Sequence, residues 1–172
     1  SYYFFREVSS MKFNYFNQSN KSFGLASIGR GFTAGLSELS PRFSAFIGKK
    51  VLMKPHGKRH YQFKEIQPTK ELNVYTSLGK VHVNLFGHSK KVVLVSHGWA
   101  DNSECFDKII AALLTQGFMV AAIDHIGHGK SSGSNSHLPS FIESLEVLLE
   151  QMNEDKFNVV AIIAHSMGAI AT

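Results

Sequence analysis

Continuous apolar runs mark the second half of the chain. One spans Val92–Val95, a second leads into Ile123, and a third spans Val159–Ile163. Runs that are apolar throughout, without alternation, are typical of strands buried on both faces of a parallel sheet. Two segments with apolar residues at helical spacing lie between these runs. The alternation of strand and helix predicts an α/β fold, with a mainly parallel sheet and helices on both of its faces.

Both helical segments carry start and stop signals. Asp101 and Glu104 fit a capping box for the first helix, and Gly117 is expected to end it. The second helix is predicted to begin near Pro139, because proline is favoured in the first turn of a helix. Their apolar stripes are predicted to face the core: Phe106, Ile109, Ile110, Leu113 and Leu114 in the first, and Phe141, Ile142, Leu145, Leu148, Leu149 and Met152 in the second.

The middle of the chain predicts antiparallel strands at a sheet edge. Leu72–Thr76 and Val81–Phe86 alternate apolar and polar residues on either side of a turn that contains Gly79. Such alternation is typical of half-buried strands. Tyr61–Ile66, just before them, is predicted to form a further strand. Residues 61–172 are therefore interpreted as one α/β unit.

Residues 1–60 are interpreted as a leader arm followed by a short amphipathic helix. The arm is rich in Ser, Asn, Gly and Phe and has little periodicity. Ser40 and Pro41 are expected to start the helix, which ends before Pro55. Its apolar stripe could rest on its own domain, on a lipid interface or against a partner. The stripe consists of Phe43, Phe46, Ile47 and Val51, with basic residues between them.

Charge is unevenly distributed along the chain. Residues 1–91 hold 15 Lys and Arg against 4 Asp and Glu, a net +11, whereas residues 92–172 hold 3 against 9, a net −6. A basic half is compatible with peripheral contact to an anionic membrane, but no nucleic-acid motif accompanies it, so no nucleic-acid partner is expected. Cys105, the single cysteine, is expected to be a structural thiol. No transmembrane span or secretory signal is visible, which favours a cytoplasmic location.

The third apolar run leads into Ala164-His165-Ser166-Met167-Gly168. Small residues two positions on either side of Ser166 fit a sharp strand-to-helix bend, the nucleophile elbow, whose usual pattern is G-x-S-x-G. Such a bend lifts a hydroxyl clear of the sheet and sets it at a helix N-terminus, where negative charge is favoured. Taken alone, the pentapeptide is also compatible with a small serine in a tight turn.

Two earlier motifs agree with this elbow in order and in context. Ser96-His97-Gly98-Trp99 ends the first apolar run, and Asp124 to Gly129 ends the second. Together the three segments resemble the α/β-hydrolase family, specifically its serine hydrolases of the lysophospholipase and esterase kind, over roughly residues 70–172. The resemblance implies Ser166 as the nucleophile and the backbone N–H groups of Trp99 and Met167 as oxyanion donors. It implies neither a metal nor an organic cofactor.

The histidines near these motifs are interpreted as structural. His97 is expected to shape the oxyanion loop, and His165 to point away from the serine, because neighbouring strand residues face opposite sides of a sheet. His125 and His128 lack the helix and the further ligands of a metal site.

Asp124 is expected to hold the loop that follows it rather than to act as a catalytic acid. That loop contains Gly129-Lys130-Ser131, which resembles a phosphate-binding loop. Because Asp124 stands where a phosphate-binding loop needs a glycine, nucleotide binding is not expected.

In this family, the acid and the histidine base follow the serine in the chain, and neither lies between Ser166 and Thr172. We therefore expect the chain to be the N-terminal part of a longer α/β-hydrolase domain, with Ser1–Ser10 preceding a candidate start at Met11. The implied function is hydrolysis of an ester or related acyl bond in a small, lipid-like substrate through an acyl-enzyme. A non-catalytic binding protein on the same fold and an acyltransferase stay open as alternatives.

Overall fold

The computed structural model describes residues 34–56 and 61–172. Most of the predicted leader arm lies outside these residues. Residues 34–48 belong to one compact unit, and the described residues from Lys49 onward belong to a second. The boundary predicted between residues 60 and 61 stays a prediction.

Five strands form one mixed sheet in the order β1-β2-β4-β3-β5. The antiparallel part is at one side, where β1 pairs with β2 and β2 pairs with β4. Strands β4, β3 and β5 are parallel, so their carboxyl ends lie at the same edge of the sheet. The bounds are Lys70–Thr76 for β1, Gly79–Phe86 for β2, Lys91–Ser96 for β3, Met119–Asp124 for β4 and Asn158–Ala164 for β5.

Helices cover both faces of this sheet, as predicted. Successive residues of β4 face opposite sides, so Met119, Ala121 and Ile123 belong to one core cluster while Val120 and Ala122 belong to the other. The first cluster is closed by α3 and the second by the 3₁₀ helix and α2. The helices are α1 (Pro41–Leu52), the 3₁₀ helix Ser103–Phe106, α2 (Asp107–Thr115), α3 (Leu138–Glu154) and α4 (Met167–Ile170), and residues 34–39 are also helical.

The strand predicted at Tyr61–Ile66 is wrong. This segment is irregular, although its apolar residues Phe63 and Ile66 pack against the core as strand residues would. Its backbone is held by a side chain instead of a neighbouring strand: the N–H groups of Lys64 and Glu65 donate to the carboxylate of Asp107 at 3.1 Å. Periodicity reports which residues are buried, and burial does not require a paired strand.

The capping box predicted at Asp101 and Glu104 is also wrong. A 3₁₀ turn precedes α2, and its N-cap residue Asn102 makes no side-chain cap. The box that forms is on α3, where His137 Nδ1 accepts from the N–H of Ser140 at 3.0 Å and Ser140 Oγ accepts from the N–H of His137 at 3.0 Å. The imidazole nitrogen takes the acceptor role that serine or threonine usually fills.

Two apolar surfaces remain exposed in the described residues. Helix α1 has the predicted bounds, but none of its residues is buried. Strand β5 pairs only with β3 within the described sheet, and Val160 and Ile162 on it are 44% and 37% exposed. The sequence therefore predicted both elements correctly without showing what covers them.

Candidate active site

Ser166 lies in a strained bend between β5 and α4. Its backbone has φ 52° and ψ −120°, a conformation that non-glycine residues rarely adopt and that costs about 1 to 3 kcal/mol. The bend directs the exposed serine outward at the carboxyl edge of the sheet, one residue before the helix. Strain of this kind persists only where the surrounding packing imposes it.

Gly168 provides that packing. It is buried, and a Cβ built on it would stand 2.5 Å from the carbonyl oxygen of His97 and 2.6 Å from Ser96 Oγ. No side chain fits into such a gap, so the glycine lets the first turn of α4 lie directly on the end of β3. The bend at Ser166 follows, because the chain must reverse within two residues of β5 to reach this contact.

The loop after β3 lies against the same bend. A Cβ on Gly98 would stand 3.0 Å from the Cβ of Ser166 and 2.9 Å from Nδ1 of His165. The glycine at this position therefore allows the backbone of the loop to approach the serine closely. Two segments separated by more than sixty residues thus meet at one point, as expected for neighbouring parallel strands β3 and β5.

His97 sets the orientation of the peptide that joins Gly98 and Trp99. The N–H of His125 donates to Nε2 of His97 at 3.1 Å, so the ring proton is on Nδ1, which donates to the carbonyl of Gly98 at 2.7 Å. In a trans peptide, C=O and N–H point in opposite directions. The N–H of Trp99 therefore points away from the buried imidazole.

His128 holds the next residue of the loop. Its Nε2 accepts from the N–H of Ala100 at 3.1 Å, and its Nδ1 is 3.1 Å from the carbonyl of Ile126. Ala100 has a positive φ of 61°, which is unusual for a residue other than glycine. The loop is thus fastened by an imidazole on each side of Trp99.

The three histidines form a buried cluster around Phe141. The ring of His125 stacks on Phe141 at 3.8 Å, and the ring centroid of His97 is 4.9 Å from that of His125 and 5.1 Å from that of His128. Burial lowers the pKa of His97, and burial with its two neighbouring histidines lowers the pKa of His125 well below the usual value. Neutral rings suit this site, since a charged imidazolium could not accept the backbone N–H that His97 accepts.

Two backbone donors next to Ser166 have no acceptor among the described residues. In the described part of the chain, neither the N–H of Trp99 nor that of Met167 donates a hydrogen bond. The first is on the loop after β3 and the second is in the first residue of α4. Both predicted donors therefore have hydrogen-bonding capacity available for a ligand, and their catalytic role stays a prediction.

Asp124 holds the loop after β4, as predicted, and does more. One carboxylate oxygen accepts from the N–H of Lys130 at 2.9 Å, and the other accepts from the N–H of Ser103 at 2.8 Å. The second contact joins the loop after β4 to the start of the 3₁₀ helix, and sequence reasoning did not identify it. A single buried carboxylate thus connects two of the loops that surround the serine.

Among the residues that the structure describes, Oγ of Ser166 is hydrogen-bonded to no side chain. His165 is exposed and makes no hydrogen bond to Ser166 among the described residues. Its Nδ1 is 3.9 Å from the buried carboxylate of Asp101. His125 and His128 both belong to the buried cluster around Phe141. No group of three residues that could bind a metal ion occurs in the described ranges. The contact between His165 and Asp101 was not predicted, because it depends on how the two loops meet.

A strained serine between a parallel strand and a helix, beside a loop with a free N–H, is typical of serine hydrolases built on an α/β sheet. Comparison with known families agrees: residues 87–172, half of the chain, match the family described as "Serine aminopeptidase, S33". The chain belongs to this family of α/β-hydrolases.

Curated relatives match over shorter stretches. A "Serine hydrolase-like protein" of Mus musculus is 34% identical over 100 residues, which cover 57% of this chain and 32% of the relative. A "Monoacylglycerol lipase" of Mycolicibacterium smegmatis is 32% identical over 81 residues, which cover 45% of this chain and 29% of the relative. The matched part thus spans about a third of the length of these relatives.

Solved structures share the fold. An esterase from Pyrococcus furiosus aligns with a TM-score of 0.55 at 22% identity, over 66% of this chain and 50% of that one. A serine hydrolase homologue from Coxiella burnetii aligns with a TM-score of 0.51 at 15% identity, over 63% and 57%. At these identities, the likeness shows the fold alone.

Proposed function

We propose that the complete protein hydrolyses an ester or related acyl bond through a covalent intermediate on Ser166. The observation that carries this proposal is the backbone of Ser166, a strained non-glycine residue that Gly98 approaches closely. A bend that costs folding free energy and exposes a hydroxyl is explained by a function of that hydroxyl. Covalent labelling of Ser166 by a fluorophosphonate, located by mass spectrometry, tests the proposal.

In the proposed reaction, Oγ of Ser166 attacks the acyl carbon while a histidine base takes its proton. The carbonyl oxygen becomes an oxyanion, which the N–H groups of Trp99 and Met167 stabilise. The base then protonates the leaving alkoxide, and the acyl group stays on the serine until water, activated by the same base, releases it as a carboxylic acid. By the family order, the base and its acid partner follow Ser166 in the complete protein.

The proposed substrate is a small molecule with a hydrocarbon part. A relative named "Monoacylglycerol lipase" and another named "Monoglyceride lipase homolog" support a lipid-like ester. Neither a metal nor an organic cofactor has a place in the proposed steps, because the serine, its base and two backbone donors supply the nucleophile, proton transfer and charge stabilisation.

Two alternatives use the same residues. A non-catalytic binding protein would keep the bend at Ser166 but lack the histidine base, so it would not react with a fluorophosphonate. An acyltransferase would be labelled, but its acyl-enzyme would be released faster by an added alcohol than by water. Relatives named "Monoacylglycerol lipase" and "Monoglyceride lipase" favour an enzymatic function over the binding protein.

Substitution of Trp99 tests the oxyanion role of its backbone. Trp99→Pro removes the N–H, so we expect kcat to fall by about a hundredfold or more. Trp99→Phe keeps the N–H and is expected to retain most of the kcat. Steady-state kinetics on the complete protein measure both, and a proline variant as active as the phenylalanine variant would remove Trp99 from the proposed hole.

We also propose that α1 makes peripheral contact with an anionic membrane. Its apolar residues Phe43 and Val51 are 52% and 54% exposed, and Arg42 and Lys49 lie on an adjacent side of the same helix. An amphipathic helix with this arrangement lies in the lipid interface, where each basic residue adds about 1 kcal/mol of attraction. None of the helices in the described ranges is long and apolar enough to cross a bilayer.

Vesicle binding tests this contact. We expect the protein to sediment with vesicles that contain phosphatidylserine and much less with phosphatidylcholine vesicles. The double variant Phe43→Glu/Val51→Glu should lower the bound fraction by about tenfold, because it places two charges in the apolar stripe. Leu78→Glu, at an apolar residue that is 47% exposed in the turn before β2, is the matched control and should bind as the unsubstituted protein does.

A further inference from the structure

An apolar groove lies beside the two free backbone donors. It has a volume of about 310 Å³, at the small end of the range for ligand sites. Trp99 and Met167, whose N–H groups are the proposed oxyanion donors, form part of its lining. The remaining walls come from elsewhere in the chain: Leu52, Met53, Ser136 and His137.

The wall formed by Leu52 and Met53 lies at the end of α1 and before the part of the chain that matches the family, residues 87–172. It is fastened to the rest of the unit by its backbone, because the carbonyl of Met53 accepts from the N–H of Ser136 at 2.7 Å. The hydrogen bond joins the end of α1 to the loop that starts α3. The wall is thus held in place rather than lying loosely on the surface.

The wall that contains His137 is held by a hydrogen bond as well. His137 is the N-cap residue of α3, and its ring nitrogen is engaged in the capping box with Ser140. This hydrogen bond fixes the orientation of the imidazole, which lines the groove. Among the described residues that line the groove, none is a lysine, arginine, aspartate or glutamate.

The exposure of these residues argues against simple core packing. Leu52 is 77% exposed, and Met53, Trp99 and Met167 are half-buried around the same space. Apolar side chains that face one another across an open groove gain free energy when a hydrocarbon replaces the water between them. Among the described residues of the lining, Ser136 and His137 carry the polar side chains, beside Trp99 and Met167 with their two backbone donors.

We infer that this groove takes the hydrocarbon chain of the substrate, and that Leu52 and Met53 set the preference for that chain. That the bound hydrocarbon belongs to a substrate rests on the proposed function. The substrate class is an acyl compound with an uncharged, extended alkyl part. In this arrangement, the reacting carbonyl of the substrate lies at the N–H groups of Trp99 and Met167. Its alkyl chain extends from there along the end of α1.

Fluorescence gives a test that does not depend on catalysis. Trp99 is the only tryptophan among the 172 residues, and it lines the groove. We expect a long-chain alcohol with a terminal bromine to quench the emission of Trp99 in the complete protein, with saturation, whereas bromoethanol should not saturate. The Trp99→Phe variant identifies the emission that belongs to this residue if the complete protein has others.

Substitutions in the wall decide the result. Leu52→Ser and Met53→Ser should each raise the half-saturating concentration of the brominated alcohol by about tenfold, because each replaces apolar contact with a hydroxyl. Met53→Leu should restore binding, which separates loss of contact from misfolding. Leu78→Ser, at an exposed leucine outside the groove, should have no effect.

The outcomes separate this inference from the proposed function. Quenching that does not saturate, or that is the same in the Leu52→Ser and Met53→Ser variants, would overturn the groove assignment even if Ser166 is labelled. Saturable quenching that these variants weaken supports the groove, and it should persist in Ser166→Ala. If the groove binds in this way but a fluorophosphonate never labels the protein, the groove stands as a binding site and the acyl hydrolase does not.

Discussion

The Ser166→Ala variant of the complete protein is expected to lose about a millionfold in kcat, the order of loss seen when a serine nucleophile is removed. The physical reason is that no other hydroxyl lies in the strained bend that faces the two free backbone donors. Fluorophosphonate labelling should disappear in the same variant. Ester hydrolysis and intact-protein mass spectrometry measure the two effects.

The matched control for this substitution is Ser77→Ala. Ser77 is exposed in the turn between β1 and β2, at the opposite side of the sheet from β5 and Ser166. It should leave labelling and turnover unchanged. Labelling that survives in Ser166→Ala would place the nucleophile on another residue.

The Gly168→Ala variant is expected to lower the free energy of unfolding by about 3 kcal/mol, the upper end of the usual cost of overpacking. The added methyl would stand 2.5 Å from the carbonyl oxygen of His97, so α4 must move away from β3. Because α4 begins directly after Ser166, this movement also displaces the serine. We expect the rate of fluorophosphonate labelling to fall in the fraction that stays folded. Urea denaturation of the complete protein measures the first effect.

Gly48→Ala is the control, since it makes the same chemical change inside α1, where no described residue lies within 4 Å of the new methyl. It should stabilise the helix by up to about 1 kcal/mol, because alanine has the higher helix propensity. Equal effects of the two substitutions would show that the contact between Gly168 and the end of β3 does not constrain the fold.

Local patterns predicted the part of the site that depends on neighbouring residues. The apolar run that becomes β5, with small residues around Ser166, specified the strand, the bend and the start of α4. Gly117 and Pro139 marked helix ends correctly, because a left-handed residue and a proline restrict the backbone directly. Such signals need no knowledge of distant contacts.

The predictions that were wrong depended on partners far along the chain. Tyr61–Ile66 has the apolar residues of a strand, but Asp107 holds its backbone. Asp101 and Glu104 have the spacing of a capping box, but Asp124 takes the N–H of Ser103 from across the sheet. In both cases, a carboxylate from another element accepts backbone N–H groups of the segment.

The sequence alone was sufficient for the class of fold, the order of β3, β4 and β5 along the chain, and the choice of Ser166, because strand burial and backbone restriction are local properties. The tertiary structure decided how the loop around Trp99 is oriented, through His97 and His128. It also decided that the end of α1 forms a wall of the groove beside Met167. These features could not be predicted, because each joins segments that no sequence periodicity relates and that meet only when the sheet brings its strand ends together.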